Sequence, residues 1–508
     1  MVKESKKTKY NSKEYSLTKS IQHNMKLFSD IFMDDGTFKV RTIKNRFNKE
    51  LQCCVIYFEG MIDNSFISAT VIEPIMNCNF SDFDSDKNLF DLIQNEIIIS
   101  TYIEITNDIQ KIIEAITLGD TLVFLEGFSD CMVINTKGWK MRNITEPSTE
   151  KTLRGPKEGF TESLITNISL IRRKVRNPNL RFQFREAGSE TNTRICICYI
   201  EGLAPQKILD ELNSRLDKID INGVLDSEYI QEMITDNPLS PFETIGSSER
   251  PDVIVGKVLE GRVALLVDGT PFALTLPFLF MEYFQVNEDY YANFFFTSFN
   301  RLLRILSFFF SVSVPSLYVA LVNYNQEMLP TPLLLGISSA RESVPFPTIV
   351  EALAMLIIFE ILREAGTRIP SDMGQAVSIV GALVLGQAAV EARIVSAPIV
   401  IVVGLTGIVA LLNIKMKGVN LFLRFIFLFL ASFMGLYGIV FGIIGVLIYT
   451  MGLSSFGVPY MLKVGTIKME NIKDTFIRSP WWYLNLNSYK VTIKTTLKGK
   501  KIGTRDEK

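Results

Sequence analysis

The chain has 508 residues, a formal net charge of -1 and a mean hydropathy of +0.22, a mean that conceals two unlike halves. Lys and Arg (53) almost match Asp and Glu (54), and the basic runs lie at the two ends, which excludes the one-sided positive field of a nucleic-acid-binding chain. A single histidine, His23, excludes histidine-based acid–base or metal chemistry elsewhere, and six cysteines (Cys53, Cys54, Cys78, Cys131, Cys196, Cys198) without a C-x-x-C pair or zinc spacing read as reduced structural thiols.

In chain order, residues 1–20 are Lys- and Ser-rich with scarcely any apolar periodicity, and predict a disordered basic tail. They hold no apolar core ahead of a small-residue cleavage site, so the N-terminal half is expected on the cytosolic side. Residues 21–150 alternate strands and helices and predict a first α/β unit. The run 53–59 (CCVIYFE) has the length and β-branched content of a buried strand ending at Gly60, and Ile109, Ile112, Ile113 and Ile116 share one helical face. The runs 120–126 and 131–135 read as two further strands.

Residues 151–285 predict a second α/β unit. Helical spacing runs through Leu164, Ile168, Ile171 and Val175, 194–201 is strand-like, and 205–218 is an amphipathic helix. Asp268-Gly269 within 262–277 is a strong hairpin signal. The stretch LRGPKEGFTE at 153–162 has the glycine and basic content of an anion cradle, yet reads first as a connector running into a helix start. It lacks the GK[ST] of a P-loop.

Beyond this point the chain becomes apolar. Residues 286–300 are aromatic and polar by turns and predict an interfacial segment; 301–455 predict an α-helical polytopic membrane domain of four to six helices; 456–508 predict a basic cytosolic tail carrying Trp481 and Trp482. The candidate spans are 302–322, 348–362, 374–390, 394–413, 419–434 and 435–450. The positive-inside rule places both termini in the cytosol and requires an even count: six, or four with 348–390 as a re-entrant pair. A single long helix over 419–450 would make the count odd. Arg304 and Arg424, near the inner starts of their spans, are expected to snorkel.

Ionisable groups at membrane depth usually face a bundle interior or a water-filled path. Glu351, Glu360, Arg363, Glu391 and Arg393 are the charged candidates. Glu351 falls in the first turn after Pro345 and Pro347, where a helix N-terminus favours a carboxylate. Glu360, Arg363 and Glu364 are spaced for an ion-pair cluster. Glu391 and Arg393 suit either a charged ring in an oligomer or a surface pair. Gly374, Ser378, Ala382 and Gly386 recur every four residues, with Gln375 beside them; the stripe serves close packing or lines a pore. A second stripe, Gly435, Gly438, Gly442 and Gly445, takes the packing role and leaves the first freer to line a path.

The motifs VPFP at 344–347, FEILREAG at 359–366 and GQAVSIVGALVLGQAAVEA at 374–392 resemble the membrane core of the A subunit of GerA-type nutrient germinant receptors of spore-forming bacteria. LRGPKEGFTESLITN at 153–167, ERPDVIVGKVLEGRVALLVDGTPF at 249–272 and EDYY at 288–291 are similar to the same family. The resemblance implies a protein of the inner spore membrane. It would work with a transporter-like B subunit, a lipoprotein C subunit and further A subunits to form a ligand-gated channel for monovalent cations. No cofactor or metal is implied. Leu356 and Asn325 depart from a Glu and a His common in the family, and Arg393 from an uncharged residue. The competing expectation is a non-conducting scaffold that clusters receptor subunits and docks downstream germination factors. With no nucleophile–base pair, metal spacing or nucleotide motif, an enzyme is not expected.

Overall fold

The computed structural model describes residues 16–48, 51–79, 89–100, 102–138, 147, 150–152, 154–368, 384–462 and 474–481. The expected N-terminal tail, all but its last residues, and nearly all of the basic C-terminal tail, including Trp482, lie outside these. The chain divides into two compact units. One holds the chain up to Pro238 together with Ile245–Pro277, and the other Leu239–Thr244 and the chain from Phe278 through Trp481.

The first unit contains two five-stranded sheets, each antiparallel throughout. Its first half runs α1 (Ile21–Ile31), β1 (Phe38–Lys44), β2 (Gln52–Phe58), α2 (Asn64–Ile67), α3 (Glu73–Asn77), α4 (Leu89–Leu92), β3 (Ile103–Thr106), α5 (Ile109–Thr117), β4 (Thr121–Leu125) and β5 (Cys131–Ile134). The sheet order is β1-β2-β4-β5-β3, with Cys54 opposite Thr42 on one side and Phe124 on the other. Successive side chains of a strand point to opposite faces, so β2 feeds two cores. Cys53 and Val55 join Val71, Ile75 and Ile93, whereas Cys54, Ile56 and Phe58 join Phe28 and Phe32 of α1 and Ile112 and Ile116 of α5. Asp108 caps α5 by accepting from the Gln110 amide at 3.0 Å.

The second half adds α6 (Leu164–Lys174), β6 (Leu180–Ala187), β7 (Thr193–Ile200), α7 (Gln206–Leu216), α8 (Ser227–Ile234), β8 (Gly246–Ser248), α9 (Pro251–Leu259), β9 (Val263–Val267) and β10 (Ala273–Leu276), in sheet order β6-β7-β9-β10-β8. Asp268-Gly269 does turn the chain between β9 and β10, with Gly269 at φ +91°, where a side chain would be strained. The same Asp268 carboxylate accepts from the Leu164 amide at 3.0 Å and so caps α6 across 104 residues of sequence. Arg172 of α6 ties the two sheets together: it is buried, pairs with Asp35 and lies 3.9 Å from the centre of the Phe58 ring.

The described part of the glycine-rich stretch is a connector. Arg250 donates to Thr152 Oγ1 at 2.8 Å and to the carbonyl of Pro156 at 3.0 Å, while its other donors meet Asp252, at 3.1 and 2.7 Å. Arg154 and Lys157 point outward rather than into a cradle.

Burial pushes the thiols of Cys53 and Cys54 up to about 12 and raises those of Cys131, Cys196 and Cys198. Since the thiolate is the reactive form, brief maleimide treatment near pH 8 is expected to label the half-buried Cys78 and spare the other five until denaturant is added. Labelling of three or more native thiols, counted by intact mass, would contradict these cores. A raised thiol pKa contributes stability that is complete below the unfolded value near 8.5 and declines as pH climbs towards 12.

The second unit is helical: α10 (Phe294–Asn323), α11 (Thr331–Arg341), α12 (Thr348–Arg368), α13 (described over 384–391), α14 (Ala397–Ala410) and α15 (Lys417–Gly452), followed by a two-stranded ribbon, β11 (Ser454–Ser455) and β12 (Val458–Pro459). Among the described residues, two helical stretches are long and apolar enough to cross a membrane, Phe294–Asn323 and Ala397–Gly452. α10 begins at Phe294 rather than near 302, because Asn293 caps it through the Phe295 amide at 3.0 Å; the expected interfacial segment becomes a short 3-10 turn (Asn287–Tyr290) and the first turns of this helix.

The second stretch is interrupted twice. Asn413 leaves helical geometry (φ -129°, ψ 64°), with its side-chain amide donating to the Arg304 carbonyl and to Ser307 Oγ, each at 2.6 Å. At Gly435 (φ 58°, ψ -137°) α15 reverses. A methyl group on Gly438 would overlap the Leu430 carbonyl, and one on Gly442 would sit 3.1 Å from the Phe427 ring, pairings that straddle Gly435 and step outward from it on both sides. The two arms, 417–434 and 435–452, are therefore an antiparallel hairpin. Each arm is roughly 27 Å long at about 1.5 Å per residue.

Successive helices alternate in direction. Thr348, at the start of α12, meets Asn323, at the end of α10, at 2.8 Å. Ser396, at the start of α14, meets Glu351, whereas Asn413 lies level with Arg304 near the start of α10. The first α15 arm then runs beside α10, with Arg424 at Ser311 and Gly435 at Tyr324, before the second arm returns.

Candidate functional site

Two polar clusters are buried among the apolar helices. The first forms where α12 begins. The first turn of α12 is set by Pro347, whose carbonyl accepts from the amides of Val350 and Glu351 at 2.9 and 3.1 Å; the Glu351 side chain is 1% exposed. Its Oε2 accepts from the amide and hydroxyl of Ser396 at 3.0 and 2.8 Å. Ser396 is the N-cap of α14, so the carboxylate closes one helix onto the start of another. Its other oxygen, Oε1, has no hydrogen bond; Arg341 Nε stands 3.6 Å away and also lacks one. The Tyr318 hydroxyl of α10 is buried beside Ser396 without a close hydrogen bond. Buried polar atoms without close hydrogen bonds are costly, so several in one place ask for a role beyond packing.

The second cluster begins with Pro315 inside α10. Proline has no amide hydrogen, so the carbonyl four residues earlier, that of Ser311, loses its helical donor. Arg424 supplies a replacement from α15, its Nε lying 2.9 Å from that oxygen, and its Nη1 meets Glu360 Oε1 at 3.1 Å. Glu360 also pairs with Arg363. Arg424 is 1% exposed and does not snorkel, because Ser311 and Glu360 hold it inside the bundle. Arg304 likewise turns inward, to Asp289 and the Phe284 carbonyl. Glu364 leaves the expected cluster for Arg368, at 3.0 Å, and Lys417, at 3.5 Å.

The remaining candidates separate. Glu391 is exposed and accepts from Gln387 at 3.0 Å. Arg393 is exposed and left-handed (φ 54°), ending α13 with its amide on the Val390 carbonyl at 3.0 Å. Gly374, Gln375, Ser378 and Ala382 lie outside the described residues. Gly386 is buried, and a methyl there would stand 3.2 Å from Val400 of α14. Gly438 and Gly442 line the hairpin contact and Gly435, at the reversal, packs on Tyr324, whereas Gly445 has open space before it. Sequence reasoning missed Tyr318, Arg341, Ser396 and the Pro315–Arg424 pairing. Only the proline inside an apolar run was a visible signal for any of them. It also missed Gly407, whose missing side chain seats the Phe359 ring of α12.

Among the described residues, no three or more His, Cys, Asp or Glu side chains converge to hold a metal ion. The arrangement offers charge and polar atoms without close hydrogen bonds at the junction of α10, α11, α12 and α14, which suits passage or sensing of a small polar species.

Residues 21–488 match the family described as Bacillus/Clostridium GerA spore germination protein. The chain is 44% identical over 454 residues to spore germination protein KA of Bacillus subtilis (strain 168), covering 87% of this chain and 81% of that one. It is 41% identical over 436 residues to the uncharacterized membrane protein YfkQ of the same strain, covering 84% and 83%. The crystal structure of the N-terminal domain of the A subunit of the Bacillus megaterium spore germinant receptor GerK3 aligns at 30% identity with a TM-score of 0.42, over 52% of this chain and 98% of that one. The match along most of the chain and the identity to these relatives establish that this protein belongs to the GerA family of spore germination proteins.

Proposed function

We propose that the chain is the membrane subunit of a nutrient germinant receptor that triggers germination by oligomerising into a ligand-gated channel for monovalent cations. It acts without catalysis of its own, alongside a transporter-like B subunit and a lipoprotein C subunit. The observation that carries this reading is the Glu351 junction, where a buried carboxylate and a guanidinium form an ion pair at 3.6 Å without a hydrogen bond between them, inside apolar helices. The alternating helices support six crossings: α10, α12, the segment 374–390, α14 and the two arms of α15. That even count keeps both termini in the cytosol of the spore. In this reading Gly374, Gln375, Ser378 and Ala382 line the path, and Glu351 supplies negative charge near its outer end.

The test is cation flux from vesicles containing the purified chain with its B and C partners, with and without nutrient. Nutrient-triggered flux that Ala382→Leu or Glu351→Gln reduces at least tenfold supports the channel. A correctly assembled, nutrient-binding complex that passes no ions would replace it with the scaffold reading.

A further inference from the structure

A third polar cluster lies near the start of α10, away from the Glu351 junction, and its charges do not balance. Asp289 accepts from Arg301 Nε and Arg304 Nη1, both at 3.2 Å. Asp474 accepts from Arg301 Nη1 at 3.1 Å and from the Tyr290 hydroxyl at 2.5 Å. Two carboxylates are thus engaged by two arginines. A third arginine, Arg478, is 4% exposed, and its guanidinium stands 5.8 Å from the Tyr290 ring centre and 5.7 Å from that of Trp481. Among the described residues its Nε and Nη2 have no hydrogen-bond partner, and neither has Nη2 of Arg301, whose guanidinium carbon stands 5.9 Å from the centre of the same Tyr290 ring.

Nε and Nη2 form the side-on edge of a guanidinium, the edge that meets two oxygens of one carboxylate or phosphate. A desolvated arginine with that edge unfilled, among three arginines and two aspartates, calls for a singly charged acceptor with paired oxygens. The surroundings decide which. Phe476, Ile477 and Trp481 beside Arg478, and Phe295, Phe296 and Phe299 on the first turns of α10, are exposed apolar groups. Trp481 also holds its indole by donating to the Tyr290 carbonyl at 3.1 Å. Aromatic side chains at the end of an apolar helix mark the headgroup level of a bilayer, where phosphodiesters are concentrated.

We propose that Arg478, with Arg301, Tyr290 and Trp481, forms a binding site for the phosphodiester of an anionic phospholipid, which enters by displacing the Trp481 indole from the guanidinium. The proposal rests on the membrane reading but not on ion conduction.

The full chain, purified in a non-ionic detergent, would be titrated with phosphatidylglycerol, phosphatidylcholine or inorganic phosphate and read by native mass spectrometry. Phosphatidylglycerol is expected to bind in preference. Arg478→Gln should abolish that preference, Arg478→Lys should weaken it about tenfold by losing the paired donors, and Trp481→Phe should keep it. The lysine and phenylalanine variants serve if the glutamine variant fails to fold. Equal binding to wild type and Arg478→Lys overturns the site. Displacement of the lipid by millimolar phosphate identifies a free-anion site instead and overturns the lipid assignment. Failure of the wild-type chain to insert into pure phosphatidylcholine vesicles overturns the membrane reading, whereas insertion without phosphatidylglycerol preference overturns this site alone.

Discussion

Glu360→Ala is expected to destabilise the helical unit by about 3–5 kcal/mol, because it leaves Arg424 and Arg363 as uncompensated charges beside apolar helices. In a domain of this size that corresponds to a fall of roughly 10 °C in the thermal midpoint of the detergent-solubilised protein. Arg424→Met in the same background should recover part of the loss, since a buried pair replaced whole by apolar groups is often nearly neutral. Recovery will be incomplete: Pro315 cannot donate, so the Ser311 carbonyl then has neither a helical donor nor Arg424. A shift below about 2 °C in Glu360→Ala would mean that water reaches the cluster.

The α15 hairpin predicts a graded series. Gly438→Ala places a methyl group on the Leu430 carbonyl, a backbone atom that cannot swing aside, and is expected to cost about 3 kcal/mol or more and to separate the arms. Gly435→Ala imposes a side chain at φ 58° and brings it 2.9 Å from Tyr324 Cβ, for about 2 kcal/mol. Gly442→Ala meets only the movable Phe427 and Leu430 side chains and should cost less, and Gly445→Ala, with open space before it, should be near neutral. Thermal midpoints of the four variants give the order directly. An equal response at Gly438 and Gly445 would show that the arms are not packed through this face.

The sequence announced local features and was silent about distant partners. The strand around Cys53–Glu59, the isoleucine face of α5 and the Asp268-Gly269 turn were legible because each is set by residues within about ten positions. The glycine spacing of α15 was legible too, and so was its division into two segments near residue 435. The edge strand β3 and the short β8 were not, because four- and three-residue strands carry too little periodicity. Charge spacing misled where a partner lay far along the chain. Glu360 and Glu364 share a helix face, yet Arg424 lies 64 residues from the first, and Lys417 takes the second. Nothing local distinguishes an arginine that will snorkel from one that will meet the carbonyl freed by a proline on another helix.

The reversal at Gly435 also governs where the chain goes next. A hairpin that returns to its own level adds nothing to parity, so the ribbon after Gly452 emerges at the height of Lys417 and of the start of α10. That return brings Asp474 back to within hydrogen-bonding distance of Arg301, 173 residues upstream. A single glycine in the middle of an apolar stretch thereby closes the helical unit into a loop, and a substitution that straightened α15 would carry the far end of the chain roughly 54 Å, the length of both arms, from where it belongs.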